Sequence, residues 1–325
     1  MRSLVALLVM LLTAAPAAAE PSFVLPAACK LGQDCFVQNY VDTDATEGAT
    51  DFTCGLLSYD GHKGTDIRLR NYVELEKGVD VYAAAAGTVL RLRDGMDDVS
   101  VKEIGLEAIK DRMAGNSVIV DHGDGWVTQY AHLKKGSVVV KPGQRVAAGD
   151  KLGQVGLSGN TEFPHLHFEV RHNDEVVDPF TGGVMGSGCN VNAHALWQAN
   201  GGQNFTYQAT GLLNNGFATA KPDPDAARHG AYSNIVLEKD SAALVYWVDI
   251  FGLQKDDRLV LEVVGPYGPV AFSDSVIPRA KALYFAFTGV KRPADGWPPG
   301  SYKASLRLDR RGVVVVQSAT AITLP

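Results

Sequence analysis

Between Pro164 and Arg171 the chain reads His165-Leu166-His167-Phe168-Glu169-Val170, polar and apolar by turns. Successive side chains of a β-strand point to opposite faces. A strand here puts Leu166, Phe168 and Val170 into a core and aims His165, His167 and Glu169 at a cleft. This pattern asks for a sheet with one apolar face and one face that carries chemistry. Upstream, His62-Lys63-Gly64-Thr65-Asp66 offers another imidazole and a carboxylate. Imidazoles with one carboxylate are the donors of an open, water-carrying zinc site.

The surroundings are rich in strand signals. Short apolar runs at Val79–Tyr82, Gly87–Leu90, Asn116–Val120, Trp126–Leu133 and Lys151–Gly156 are separated by turn residues. Asp121-His122-Gly123-Asp124-Gly125 reads as a hairpin turn, and Pro142-Gly143 as the centre of a type II turn. Along Trp126–Leu133, alternation places Tyr130 and His132 on one face and Val127, Ala131 and Leu133 on the other. One segment departs from this pattern. Asp97–Met113 has apolar residues at helical spacing, with Ser100 and Glu103 placed as a capping box. It is either a lid over the cleft or a surface decoration.

The 325 residues suggest more than one domain. From about Asn200, Gly and Pro-Asp-Pro-Asp mark a linker, followed by short strand-like runs that suggest a sandwich. The expected fold is mainly β. An antiparallel catalytic domain with an inserted helix precedes an immunoglobulin-like β-sandwich. The boundaries read as 1–19 leader, 20–54 disulfide-tied lead-in, 55–200 catalytic domain, 201–230 linker and 231–325 sandwich. No catalytic constellation is evident in the last of these.

Residues 1–19 combine Arg2, a short apolar run and an Ala-x-Ala end, which is the pattern of a secretory signal peptide. No later apolar run reaches the about 18 residues needed to span a bilayer. Loss of Arg2 with the leader takes the net charge from −6 to −7, which argues against a nucleic-acid partner. In an oxidising compartment the four cysteines are expected as disulfides. Three pairings are possible. Cys29–Cys35, a small loop around Gly32, with Cys54–Cys189 is favoured, and the second bridge brackets the histidine-containing segment.

His62-x-Gly64-x-Asp66, Tyr130-Ala131-His132-Leu133 and Ser158-Gly159-Asn160 … Pro164-His165-Leu166-His167-Phe168-Glu169 together resemble the lysostaphin-type zinc metallopeptidases. These are secreted bacterial enzymes that cut peptide bridges of peptidoglycan. The likeness covers roughly residues 55–180, and the lead-in Cys35–Asp42 is similar to that of periplasmic Gram-negative members. The resemblance implies a duplicated hybrid motif fold. It implies Zn²⁺ held by His62, Asp66 and His167, with water in the fourth position, and it implies that His132 and His165 act on that water and on the tetrahedral intermediate. It gives Glu169 no ligand role, so a supporting one is expected. Asn160 and Thr161 are expected on the rim of the substrate groove. His122, His172, His194 and His229 read as surface or hydrogen-bonding residues. A pattern around Lys141-Pro142-Gly143 is reminiscent of biotinyl and lipoyl carrier domains, but no Met-Lys-Met-like tip accompanies it.

Three functions compete. The first is a zinc endopeptidase of the periplasm acting on peptidoglycan crosslinks, D-alanyl to diaminopimelate in preference to glycyl–glycine. The second is an inactive activator of another wall hydrolase, which would typically lack a metal ligand. The third is a wall-binding scaffold whose C-terminal domain docks wall or a protein partner.

Overall fold

The computed structural model describes residues 20–191, 194–198 and 205–325. The expected signal peptide lies outside the described residues. The first unit holds β1 (Cys35–Asn39), β2 (Thr65–Leu69), α1 (Tyr72–Lys77), β3 (Asp80–Tyr82), β4 (Gly87–Arg93), α2 (Val101–Ile104), β5 (Asn116–Gly123) and β6 (Trp126–Leu133). It continues through β7 (Arg145–Val146), β8 (Lys151–Gln154), β9 (His165–His172) and β10 (Glu175–Val177). The second holds β11 (Gly211–Ala218), α3 (Pro224–Arg228), β12 (Ala243–Leu253), β13 (Arg258–Gly265), β14 (Gly268–Val276), β15 (Lys281–Lys291), β16 (Gly300–Arg310) and β17 (Val313–Leu324).

The first unit is built on an antiparallel sheet in the order β1-β2-β9-β6-β5-β4-β7, with β10 on β9. One face is apolar. Ile67, Tyr130, Leu166, Phe168 and Val170 are sealed in a core with Val118 and Val120. The register pairs Asp66 with His167 and Arg68 with His165 across β2 and β9, and Ala131 with His167 across β6 and β9. Residues directly opposite one another share a face. The other face of the sheet therefore carries Asp66, Arg68, His165, His167 and Glu169, as the alternation in β9 requires.

The helix expected over Asp97–Met113 is not continuous. It forms the one-turn α2 and a 3₁₀ turn at Leu106–Ile109, divided by Gly105 at φ +75°. Glycine takes that φ readily, and it ends the helical hydrogen-bond ladder. Ser100 caps through its side chain to the Lys102 N–H at 3.3 Å. The segment lies mostly exposed on the surface and is tied to its neighbours. Asp98 accepts from the N–H groups of Leu157 and Lys135, and the Val101 N–H donates to the Thr161 carbonyl. It braces the loop that leads into β9.

The second unit stacks the three-stranded β11-β12-β15 sheet on the four-stranded β14-β13-β16-β17 sheet. Tyr246, Val248, Leu261, Val263, Tyr302 and Leu306 fill the space between them. The sandwich takes in part of the expected linker, because Gly211–Ala218 runs antiparallel along β12. Gly211, which helped to suggest an open connection, is a strand residue here, and the pairing buries Leu213 and Phe217; Gly201 and Gly202 lie outside the described residues. The two units pack together. Phe36 meets Phe251 at 5.4 Å between ring centroids, the Tyr72 and His229 rings stack at 3.9 Å, and Arg70 donates to the Leu213 carbonyl at 2.7 Å. Disulfides join Cys29 to Cys35 and Cys54 to Cys189.

Candidate metal centre

His62 follows a turn closed by its own N–H on the Tyr59 carbonyl. Its Nδ1 lies 2.7 Å from the Tyr40 carbonyl, which only accepts, so Nδ1 carries the proton and Nε2 is left with a lone pair. Nε2 is 3.1 Å from Asp66 Oδ1 and 3.3 Å from His167 Nδ1. His167 Nδ1 is 2.9 Å from the same Oδ1. The other carboxylate oxygen, Oδ2, accepts from Asn39 Nδ2 at 2.9 Å. One oxygen of Asp66 is thus reserved for the protein and the other faces the two imidazoles.

Gly64 makes this approach possible. A Cβ there would stand 2.7 Å from the His167 ring and 2.8 Å from the Phe168 carbonyl. A side chain in the middle of His62-x-Gly64-x-Asp66 would push the ring out of place.

His165 and His132 sit beside the triangle. His165 Nδ1 donates to the Phe163 carbonyl at 2.9 Å and is flanked by Thr161 Oγ1 at 3.0 Å, which turns Nε2 toward Asp66 Oδ1 at 3.4 Å. His132 Nδ1 donates to the Ser158 carbonyl at 2.7 Å, and its ring lies 4.7 Å from that of His165. Simple alternation would have put His132 with Tyr130, which is in the core and whose hydroxyl accepts from the Ala84 N–H and the Thr128 hydroxyl. The structure corrects that expectation. His132 has φ +60°, rare for a non-glycine residue, and its N–H leaves the ladder for the Ala114 carbonyl. This break at the end of β6 swings the ring to the histidine face.

The electrostatics follow from burial and proximity. Burial alone would raise the Asp66 carboxyl, but His62 and His165 outweigh it and hold it well below the carboxylate range. Burial, then the neighbouring His165 and His167, push His132 well below the usual imidazole value. For His167, burial is outweighed by its bonds to Asp66 and Glu169, and the ring is pushed up to about 9. Glu169 faces His167 Nε2 at 3.7 Å and binds Arg171 at 2.5 Å.

His62 Nε2, Asp66 Oδ1 and His167 Nδ1 thus form a triangle with edges of 2.9–3.3 Å. Corners of a tetrahedron with bonds of 2.0–2.1 Å lie about 3.3–3.4 Å apart. The donor types and their spacing fit a zinc ion. His132, His165 and His167 form a second, overlapping group of possible donors. It lacks a carboxylate, and two of its rings are anchored by loop carbonyls.

Of the other histidines, His122 is bound to the Ala86 carbonyl and Thr128, His172 stacks on Trp126, His229 stacks on Tyr72, and His194 is exposed beside Glu20. Thr161 is not on a rim. It is buried against His165, while Asn160 is exposed. Three participants escaped the sequence reading. Asn39 orients Asp66, Tyr59 packs tilted against His62 with ring centroids 4.4 Å apart, and Arg68 lies two residues past Asp66 on the same face. The period of β2 points to Arg68; nothing local points to Asn39 or Tyr59.

The fold and this cluster define an antiparallel β-domain with a metal-hydrolase type of site. Residues 60–179 match the model of Peptidase family M23. The cell division protein DipM of Caulobacter vibrioides is 38% identical over 123 residues, covering 38% of this chain and 18% of DipM. The peptidoglycan DD-endopeptidase ShyA of Vibrio cholerae is 32% identical over 109 residues, covering 34% of this chain and 20% of ShyA. The matching segment thus spans about a fifth of these relatives. A solved zinc-containing peptidase from Vibrio cholerae is 27% identical, covering 44% of this chain and 39% of that one, with a TM-score of 0.29.

Proposed function

We propose that this chain is a zinc metalloendopeptidase of the bacterial periplasm that hydrolyses peptide crosslinks of peptidoglycan. The observation that carries the reading is the triangle of His62 Nε2, Asp66 Oδ1 and His167 Nδ1, with two further imidazoles beside it. His62, Asp66 and His167 hold the metal. Zinc, when bound, supplies Lewis-acid chemistry, acidifying a water and polarising a carbonyl. His132 and His165 act as proton carriers through Nε2, since each Nδ1 is fixed on a backbone carbonyl. Burial and its histidine neighbours disfavour a charge on His132, so the resting ring is neutral and keeps a lone pair on Nε2. Asn39 and the Tyr40 carbonyl keep the two ligands of the first motif in orientation. A complete donor set speaks against the inactive-activator reading. The relatives named as peptidoglycan endopeptidases support the choice of substrate.

The purified protein is expected to hold about one zinc per chain and to digest sacculi. His167→Ala should lose both properties. If His167→Ala still digests sacculi at the wild-type rate, the assignment is wrong. Mass spectrometry of the products identifies the bond, and cell fractionation tests the periplasmic location.

A further inference from the structure

A cavity of about 260 Å³ opens where the two units meet, with Arg68, Tyr72, Phe163 and Arg228 in its wall. Arg68 is 2% exposed and stands opposite His165 in the strand register. Its Cα is two residues from that of Asp66, about 7 Å along the strand. Its partners are all neutral. Nε donates to the Leu69 carbonyl at 3.3 Å, Nη1 donates to Gln38 Oε1, and the guanidinium lies over the Phe163 ring at 4.5 Å. Among the described residues no carboxylate makes an ion pair with it.

The neighbouring acids are engaged elsewhere. Asp249 is held by Arg228 through two bonds of 2.8 and 3.1 Å, Glu162 is paired with Lys102, and Asp225 is paired with Arg228. Glu103 stands at the exposed rim. Two guanidiniums therefore share one buried carboxylate. Nη2 of Arg68 donates to no described residue. Nor is it among the side-chain atoms sealed without a partner, which are Thr65 Oγ1 and Trp197 Nε1. The Arg68 side chain lines the cavity. A buried, incompletely paired charge is costly, and a planar fork of donors matches a carboxylate.

We infer that Arg68 and this cavity bind a free carboxylate of the substrate, next to the bond that is cut, and so set which crosslink is accepted. This rests on the peptidase reading above. In a D-alanyl–diaminopimelyl crosslink the scissile nitrogen sits on a carbon that bears a free carboxylate. In a glycyl–glycine bridge the corresponding carboxyl is tied up in the next amide. Arg68 favours the first chemistry and gives no advantage to the second. The α2 segment and α3 complete the cavity wall, so the insertion and the second unit both contribute to substrate choice.

The test uses the full chain, stripped of metal so that nothing is cut. Its probes are a fluorescent diaminopimelate-crosslinked muropeptide dimer and the same dimer with that carboxylate amidated, followed by anisotropy. The acid is expected to bind about 10- to 100-fold more tightly than the amide. Arg68→Gln should bind both with the affinity of the amide, and Arg68→Lys should keep part of the preference. Equal binding of acid and amide by the wild type overturns the inference whether or not a variant folds, and so does a preference that survives in Arg68→Gln. Zinc-loaded wild type that shows the binding preference but cuts neither dimer upholds the carboxylate site and sinks the peptidase reading instead.

Discussion

The buried carboxylates of the second unit and the buried pair Asp66 and Arg68 of the first treat charge in opposite ways. In the second, the buried carboxylates Asp249 and Asp257 each face an arginine. Arg228 holds the first, and Arg310 binds the second through bonds of 2.8 and 2.7 Å. In the first, among the described residues Asp66 pairs with three imidazoles and no Lys or Arg, while Arg68 makes no ion pair with a carboxylate. The strands tell the same story. β16 alternates between buried and exposed positions, whereas every residue of β2 is buried, including Asp66 and Arg68. A buried charge with its complement is structural. At Asp66 and Arg68 no lysine, arginine or carboxylate among the described residues supplies that complement.

Several substitutions sharpen that contrast. The largest effect is expected for Asp66→Asn, which should abolish zinc retention and bring sacculus digestion to background. Circular dichroism should show a folded protein, because no arginine or lysine is left unpaired. Next is His132→Gln, with kcat lower by about 10²- to 10⁴-fold and metal content unchanged by elemental analysis. Loss of zinc in His132→Gln would make this histidine a ligand instead. Arg310→Ala should reverse the profile. Stranding Asp257 costs about 3–5 kcal/mol in denaturant unfolding, with kcat per folded molecule intact. Asn39→Ala releases Asp66 Oδ2 and should weaken zinc affinity by about 10- to 100-fold in a chelator competition.

The smallest effect concerns Asp178. Burial, together with the nearby Asp51 and against bonds from Phe180 and Thr181, pushes this carboxyl up to about 7. Its folded value lies above its unfolded one, so its stabilising contribution is complete below about pH 4 and is lost as pH rises through about 7. Asp178→Asn should therefore gain on the wild type between pH 5 and pH 8, by on the order of 1–2 kcal/mol. A constant difference across that range would show that this carboxyl is already ionised in the native state at pH 5.

Much of the site was legible because a strand has a period of two. His165 and His167 had to share a face, and Leu166 and Phe168 the opposite one. His62-x-Gly64-x-Asp66 was legible for a different reason, since the glycine answers to the ring of His167, 103 residues away in sequence, yet marks the motif locally. Alternation failed where the backbone leaves the strand. His132 turns at a positive φ that no pattern of side chains announces. The helical spacing of Asp97–Met113 likewise could not weigh Gly105, and glycine signals near residue 211 read as linker where pairing with β12 makes a strand.

The order of residues alone determined which side chains could meet on one sheet face, which cysteines were available to be joined, and what kind of ion the donors suit. Only the assembled molecule decided how His132 reaches the others, which oxygen of Asp66 is left open, and that Arg228 takes the carboxylate nearest Arg68. Local periodicity follows from bonding between neighbours along the chain. Pairing of charges depends on strands and helices that come together from distant parts of it.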